Sequence, residues 1–223
     1  MSLWDVIKQC LGNIYTNNSS FVVSHVRNPF EVLVSVILSQ NTTDRNAIRA
    51  LKNLKNAIDK ITPENILNAR RDDIIKCIRP SGMYRGKTET IVRAAKAFSE
   101  IGGEDAFLRM SPKRAKSFLT GIKGVGVKTA DVVLMITHRA DVFPVDTHIR
   151  RITLRLGVVR EANYEEISNF WKSIIPKDLY YIYHKKLIEF GRSICKARRP
   201  SCKNCCLKEI CMYYKNKKYN ENK

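Results

Sequence analysis

Three groups of residues in this 223-residue chain carry reactive chemistry at informative spacing. The first lies in Gly121-Ile122-Lys123-Gly124-Val125-Gly126-Val127-Lys128-Thr129. Gly124 and Gly126 bracket one apolar residue, which makes a tight turn whose backbone can approach another surface closely. A helical pattern follows at once, so its free N–H groups point at whatever lies above the turn. A helix start preceded by glycines is a seat for phosphate; the same spacing also suits an ordinary hairpin of two packed helices. Lys128 falls in the first turn of that helix, where the positive end of the dipole disfavours a cation and favours the free amine. A free amine can attack an electrophilic sugar carbon and form a Schiff base. The plainer role for Lys128 is a second phosphate contact.

The second group centres on Asp146 in Phe143-Pro144-Val145-Asp146-Thr147-His148-Ile149. An Asp ahead of an apolar-periodic stretch is a helix N-cap. A carboxylate there can also stabilise developing positive charge or assist proton transfer, and the two roles are compatible. His148 reads as structural, since no second His stands at metal-ligand spacing.

The third group is the cysteines. Five of the seven, Cys195, Cys202, Cys205, Cys206 and Cys211, fall within 17 residues, while Cys10 and Cys77 stand apart. An odd count without a secretion signal does not suggest a disulfide framework, and clustered thiols point to metal instead. The pattern Cys195-x6-Cys202-x2-Cys205-x5-Cys211 can wrap a tetrahedral zinc or an iron–sulfur cluster. Structural zinc more often shows two Cys-x2-Cys pairs, and only one close pair exists here, so a [4Fe-4S] cluster is favoured. Cys206 competes with Cys205 for the third position, with Cys205 preferred. Lys196, Arg198 and Arg199 sit inside this loop, either as phosphate contacts on a metal-stiffened scaffold or as a solvated basic turn.

The elements that must position these groups read as helices. Asn28-Pro29-Phe30-Glu31, Thr62-Pro63-Glu64 and Ser111-Pro112-Lys113 each set a capping residue before a Pro at the first helical position. Val32 to Leu38 is β-branched enough to pass for a strand, but its start signal favours a buried helix. Ile91, Ala94, Ala95 and Phe98 recur at helical spacing. No pair of alternating runs flanks a hairpin signal, so the fold class is all-α. With 44% apolar residues the chain can build a core, and no apolar run reaches the roughly 18 residues of a membrane span. The start shows no signal peptide, which implies an intracellular protein of the cytoplasm or nucleoid. Forty Lys+Arg against 21 Asp+Glu leave a net charge of +19, an excess that suits an anionic partner, nucleic acid first. The Lys- and Asn-rich stretch 215–223 reads as a disordered tail.

Taken together, these residues resemble the endonuclease III family of DNA base-excision glycosylases, in the helix-hairpin-helix superfamily. Leu119-x-Gly121-Ile122-x-Gly124-Val125-Gly126-x-Lys128-Thr129-Ala130 looks like its hairpin, Val145-Asp146-Thr147-His148 like its catalytic-aspartate segment, and the cysteine spacing like its cluster pattern. Ile37-Leu38-Ser39-Gln40-Asn41-Thr42-Thr43-Asp44 and Gly82-Met83-Tyr84-Arg85-Gly86-Lys87 are also similar to family segments. The resemblance covers roughly residues 28 to 211 and rests on three motifs in the right order.

The resemblance implies two packed helical domains with a DNA-binding cleft between them. One would be a six-helix domain, 28–138, holding the hairpin; the other would join 1–27 to 139–214 and carry the [4Fe-4S] cluster on Cys195, Cys202, Cys205 and Cys211. The partner would be double-stranded DNA containing damaged bases or abasic sites, bound by a monomer through Gly124, Val125, Gly126, Lys196, Arg198 and Arg199. The damaged nucleotide would be flipped out of the duplex. Lys128 inherits the role of nucleophile and Asp146 that of its activating partner, and β-elimination then nicks the strand. Related mismatch glycosylases carry Ser or Tyr at the lysine position, so Lys128 favours a bifunctional glycosylase and lyase acting on oxidised pyrimidines of the thymine glycol type. In one departure, Asn41 stands where the family has a Gln that fills the gap left by the flipped base, and Gln40 is placed to share the task. The competing readings are a monofunctional glycosylase for mismatched or alkylated bases and a non-enzymatic DNA-binding protein.

Overall fold

The computed structural model describes residues 2–14, 21–26 and 28–221. Its described residues form helices and turns with no strand. The helices are α1 (Leu3–Gly12), α2 (Pro29–Ser39), α3 (Asp44–Ile58), α4 (Pro63–Asn68), α5 (Arg71–Ile78), α6 (Tyr84–Glu100) and α7 (Gly103–Leu108). They continue with α8 (Pro112–Gly121), α9 (Val127–Thr137), α10 (Thr147–Leu156), α11 (Tyr164–Ile174), α12 (Tyr180–Ser193) and α13 (Met212–Glu221). None is long and apolar enough to cross a membrane among the described residues.

The start signals act as physical caps. The side chains of Asn28, Thr62 and Ser111 accept hydrogen bonds from the backbone N–H of Glu31, Asn65 and Arg114. Each satisfies a donor that the first turn leaves without a helical partner. The β-branched run Val32–Leu38 is helical because α2 is enclosed on all sides: every residue from Pro29 to Leu38 is buried. A helix sunk this deeply needs no amphipathic stripe, and its composition decides little between helix and strand.

The chain divides into two compact units, Asn17–Ala140 and Met1–Thr16 with Asp141–Lys223. In the first, α2 runs through the middle, packed on α3, α6 and α9. An aromatic group of Phe30, Phe98, Phe107 and Phe118 closes one end, with centroids 5.0–5.8 Å apart at tilted or edge-on angles. Such geometry adds about 0.5–1.5 kcal/mol per pair beyond area burial. Asp131 of α9 is buried and pairs with Lys116 of α8 at 2.8 Å, fixing the two arms of the hairpin against each other.

In the second unit Trp171 and Phe143 are fully buried and stacked, and the Trp171 indole N–H donates to the Thr153 hydroxyl at 2.8 Å. Lys186 of α12 gathers the end of α1 by donating to the carbonyls of Leu11, Gly12 and Ile14 at 2.9, 3.0 and 2.9 Å. A cation at a helix C-terminus meets both the orphaned carbonyls and the negative end of the dipole.

Two features depart from the expectations above. Where 215–223 reads as disordered, the backbone continues α13 to Glu221, while residues 222 and 223 lie outside the described residues. α13 is seated on α10, with Arg155 stacked 4.7 Å over the Tyr213 ring, a cation–π contact that ties the helix start down. The second departure is a disulfide joining Cys10 of α1 to Cys206, across 196 residues of sequence. Cross-linking positions so far apart restricts the unfolded chain, which is worth about 2–4 kcal/mol. Cys206→Ser will lower stability to denaturant by that amount under oxidising conditions, and reductant will abolish the difference between variant and wild type.

Candidate active site

The hairpin is built by close approach. Gly124 has φ +101°, and a Cβ there would lie 2.3 Å from the Thr90 hydroxyl oxygen on α6. Only glycine fits both the backbone angle and the space. The turn closes with Val125 N–H donating to the Ile122 carbonyl at 2.9 Å, and both of these side chains point inward, 4% and 6% exposed. Val125 therefore anchors the turn from below with its side chain and presents its backbone outward. Gly124 and Gly126 are exposed, with open space beside Gly126 where it caps α9. Lys128 is half-buried in the first turn of α9.

The next residue, Thr129, connects this turn to the end of α2. Its hydroxyl accepts from the Gln40 side-chain amide at 3.2 Å. Gln40 is thus turned inward as a brace. Asn41 is the residue exposed at this corner, in the left-handed region at φ 50°. Its side-chain amide lies 3.8 Å from the Met83 sulfur. Met83 is 68% exposed and also left-handed, at φ 46°, as it caps α6. Two strained turn tips, 42 residues apart in sequence, meet here at one point on the surface. Sequence reasoning singled out the segment containing Met83 but not the side chain. The available signal was a large apolar residue after Gly82, in a turn.

Asp146 belongs to the other unit, where Pro144, Val145 and Ile149 are buried around it. Its Oδ1 accepts the Ile149 N–H at 2.8 Å, so it caps α10. One oxygen is committed to the cap, and the half-buried carboxyl keeps a second. His148 packs against α12: the Arg151 guanidinium lies 2.9 Å from its Nδ1, and a Cβ on Gly191 would come within 2.7 Å of its Cβ. That makes it a packing residue.

The same helix holds the cysteine loop. Arg151 donates to the carbonyls of Cys195 and Gly191, both at 2.9 Å. Arg155 donates to the carbonyls of Lys196 and Ala197 at 2.7 and 3.1 Å, and reaches the Cys195 sulfur at 3.3 Å. Two planar guanidinium forks thereby fix a loop whose own side chains Lys196, Arg198 and Arg199 are all exposed. Cys195, Cys202, Cys205 and Cys211 line one small cavity that has no carboxylate or imidazole on its wall. Burial first, and then the sulfurs of Cys195, Cys211 and Cys202, push the Cys205 thiol up to about 11, against a backbone N–H from Leu207. Such a set of soft donors is suited to iron or zinc, whose charge would reverse that shift. No three His, Cys, Asp or Glu side chains are grouped to hold a single metal ion among the described residues. Cys206, exposed and bonded to Cys10, is turned out of this cavity.

Gly124→Ala is expected to lower stability by more than about 1 kcal/mol through its positive φ and the Thr90 clash, and to weaken any ligand of the turn. Thr90→Ala in the same chain will restore part of the thermal loss but not all, because the strained φ remains.

Residues 34–177 match the HhH-GPD superfamily base excision DNA repair proteins. The endonuclease III of Sulfolobus acidocaldarius is 36% identical over 197 residues, which are 88% of this chain and 87% of that protein. A solved non-covalent endonuclease III–DNA complex superimposes with TM-score 0.78 at 30% identity, over 97% of this chain and 95% of the other. A trapped endonuclease III–DNA covalent intermediate gives 0.77, also at 30% identity, over 98% and 100%. A helix–glycine-turn–helix bearing Lys128, a capping Asp146 and four thiols on one cavity thus occur in a chain that belongs to the HhH-GPD superfamily of base excision DNA repair proteins, in its endonuclease III family.

Proposed function

We propose that the protein excises a damaged base from double-stranded DNA and cuts the resulting abasic strand, with Lys128 as nucleophile and Asp146 as its acidic partner. The observation that carries this reading is Lys128 in the first turn of α9, directly behind an exposed glycine turn whose capping residue, Gly126, makes no side-chain hydrogen bond, so that the turn can take a phosphate. The covalent endonuclease III–DNA intermediate among its structural relatives supports the same chemistry.

In this reading the uncharged Lys128 amine attacks the sugar carbon C1′ and the base leaves. Negative charge at Asp146 stabilises the positive charge that builds on the sugar, or assists the proton transfers that accompany it. The sugar ring then opens as the C1′–O4′ bond breaks and the ring oxygen takes up a proton, which leaves the lysine nitrogen in a Schiff base with C1′. Loss of a proton from C2′ breaks the C3′–oxygen bond, leaving phosphate on the downstream strand, and water releases the amine. An oxidised pyrimidine of the thymine glycol type is the favoured substrate, acted on by a monomer. Asn41 and Met83 together form the exposed corner that would face the gap left by a flipped nucleotide. Gly124, Val125 and Gly126, through their backbone, with Lys196, Arg198 and Arg199 would take backbone phosphates, giving grip without sequence preference.

We further assign a [4Fe-4S] cluster to Cys195, Cys202, Cys205 and Cys211, with Cys205 rather than Cys206 as third ligand because Cys206 is bonded elsewhere. The cluster would supply rigidity to the basic loop. Purified protein is expected to carry about four irons per chain with matching labile sulfide. Cys205→Ser will lose them and Cys206→Ser will keep them; retention in the first or loss in the second contradicts the ligand set.

The catalytic assignment is tested with a thymine glycol duplex. Lys128→Gln is expected to abolish strand cutting. Asp146→Asn caps a helix as well as Asp does, so it should fold normally and lose at least about a hundredfold in base release. Asp146→Ala will in addition lose about 1 kcal/mol of stability with the cap. Base release from a mismatched duplex without any strand cutting by wild type would instead make the enzyme monofunctional.

A further inference from the structure

One buried ionisable group is left unused by the chemistry above. Lys87, in the first turn of α6, is 4% exposed. Its ammonium donates to the Leu38 carbonyl at 2.9 Å and to the Ser81 carbonyl at 2.8 Å. Burial pulls it down to about 8 from the usual lysine range. A lysine buried at this cost in an otherwise apolar setting is an inefficient way to gain stability.

The two carbonyls share one property. Leu38 is in the last turn of α2, three residues before Asn41, and Ser81 ends the turn that leads two residues later to Met83. Both segments leave helical geometry within a few residues of the carbonyl that Lys87 holds: Asn41, Gly82 and Met83 all have positive φ. The ammonium therefore sits at the root of both turn tips whose ends meet at the Asn41–Met83 contact. The Asn41 tip is braced in addition by Gln40 on Thr129, while the Asn41 and Met83 side chains are themselves exposed.

We propose that Lys87 is a positioning residue for lesion recognition: by holding the Leu38 and Ser81 carbonyls together it sets Asn41 and Met83 at the spacing needed to occupy the gap in the duplex when a nucleotide is flipped out. The proposal rests on the reading that this corner meets DNA. Filling the gap offsets lost stacking, and an apolar tip displaced by about an ångström forfeits much of its contact. The distance between the tips, rather than their identity alone, is thus a determinant of how well a paired lesion is opened.

The test compares Lys87→Met with wild type on two duplexes carrying thymine glycol, one with the lesion paired and one with it in an unpaired bulge. Opening is costly only in the first. Lys87→Met is expected to slow single-turnover cleavage of the paired lesion by about tenfold or more and to leave the bulged lesion within about twofold of wild type. In a chain already carrying Asn41→Ala and Met83→Ala, the same substitution should have little further effect on the paired lesion. Equal slowing on both duplexes, or full additivity with the tip substitutions, would overturn the proposal and make Lys87 a packing residue. Melting temperature is followed for every variant, and Lys87→Arg, which can still reach both carbonyls, should recover part of the paired-lesion activity if the first variant folds poorly. If wild type cleaves neither duplex, the glycosylase reading fails, an outcome separable from failure of the Lys87 proposal.

Discussion

One face of α6 sets the geometry of the unit that carries Lys128. Met83, Lys87 and Thr90 follow each other at helical spacing, and each meets a different segment: the Asn41 corner, the end of α2, and the glycine turn before α9. The contact at Thr90 is the least forgiving. The backbone of Gly124 lies so near that a single methyl group has no room, which fixes where α9 begins and hence where Lys128 stands. Gln40 then ties the same first turn of α9 to α2 through Thr129. In the role proposed for Lys128, a nucleophile must be held to a fraction of an ångström, and packing and short hydrogen bonds set the position of its helix start.

The second unit solves a parallel problem with charge. α10 starts at Asp146 and, over its next two turns, turns Arg151 and Arg155 onto the backbone of the cysteine loop. One helix therefore carries the acidic group at its cap and supports the thiols and basic side chains from its body.

The sequence carried the local part of this account and lacked the long-range part. Caps at Asn28, Thr62, Ser111 and Asp146 are chemistry between residues three apart, so they are legible without a fold. The hairpin and the cysteine spacing are likewise short-range patterns. The Cys10–Cys206 bond, the inward turn of Gln40 and the meeting of Asn41 with Met83 depend on which segments the fold brings together, and no spacing rule contains that. Val125 shows a subtler limit: a motif names the turn, but the burial of its middle side chain follows from the core below it. Over 215–221 composition alone suggests disorder, whereas the backbone continues α13, whose start is held by the Arg155–Tyr213 contact.

The central claim is that Lys128 is the residue that bonds to the sugar. Its most direct test is to reduce the wild-type protein with borohydride on a thymine glycol duplex, digest the adduct and sequence the peptide that carries the deoxyribose. The account predicts a single modified peptide with the added mass on Lys128. Modification of Lys123 or any other lysine, or an adduct formed equally well by Lys128→Gln, would contradict it.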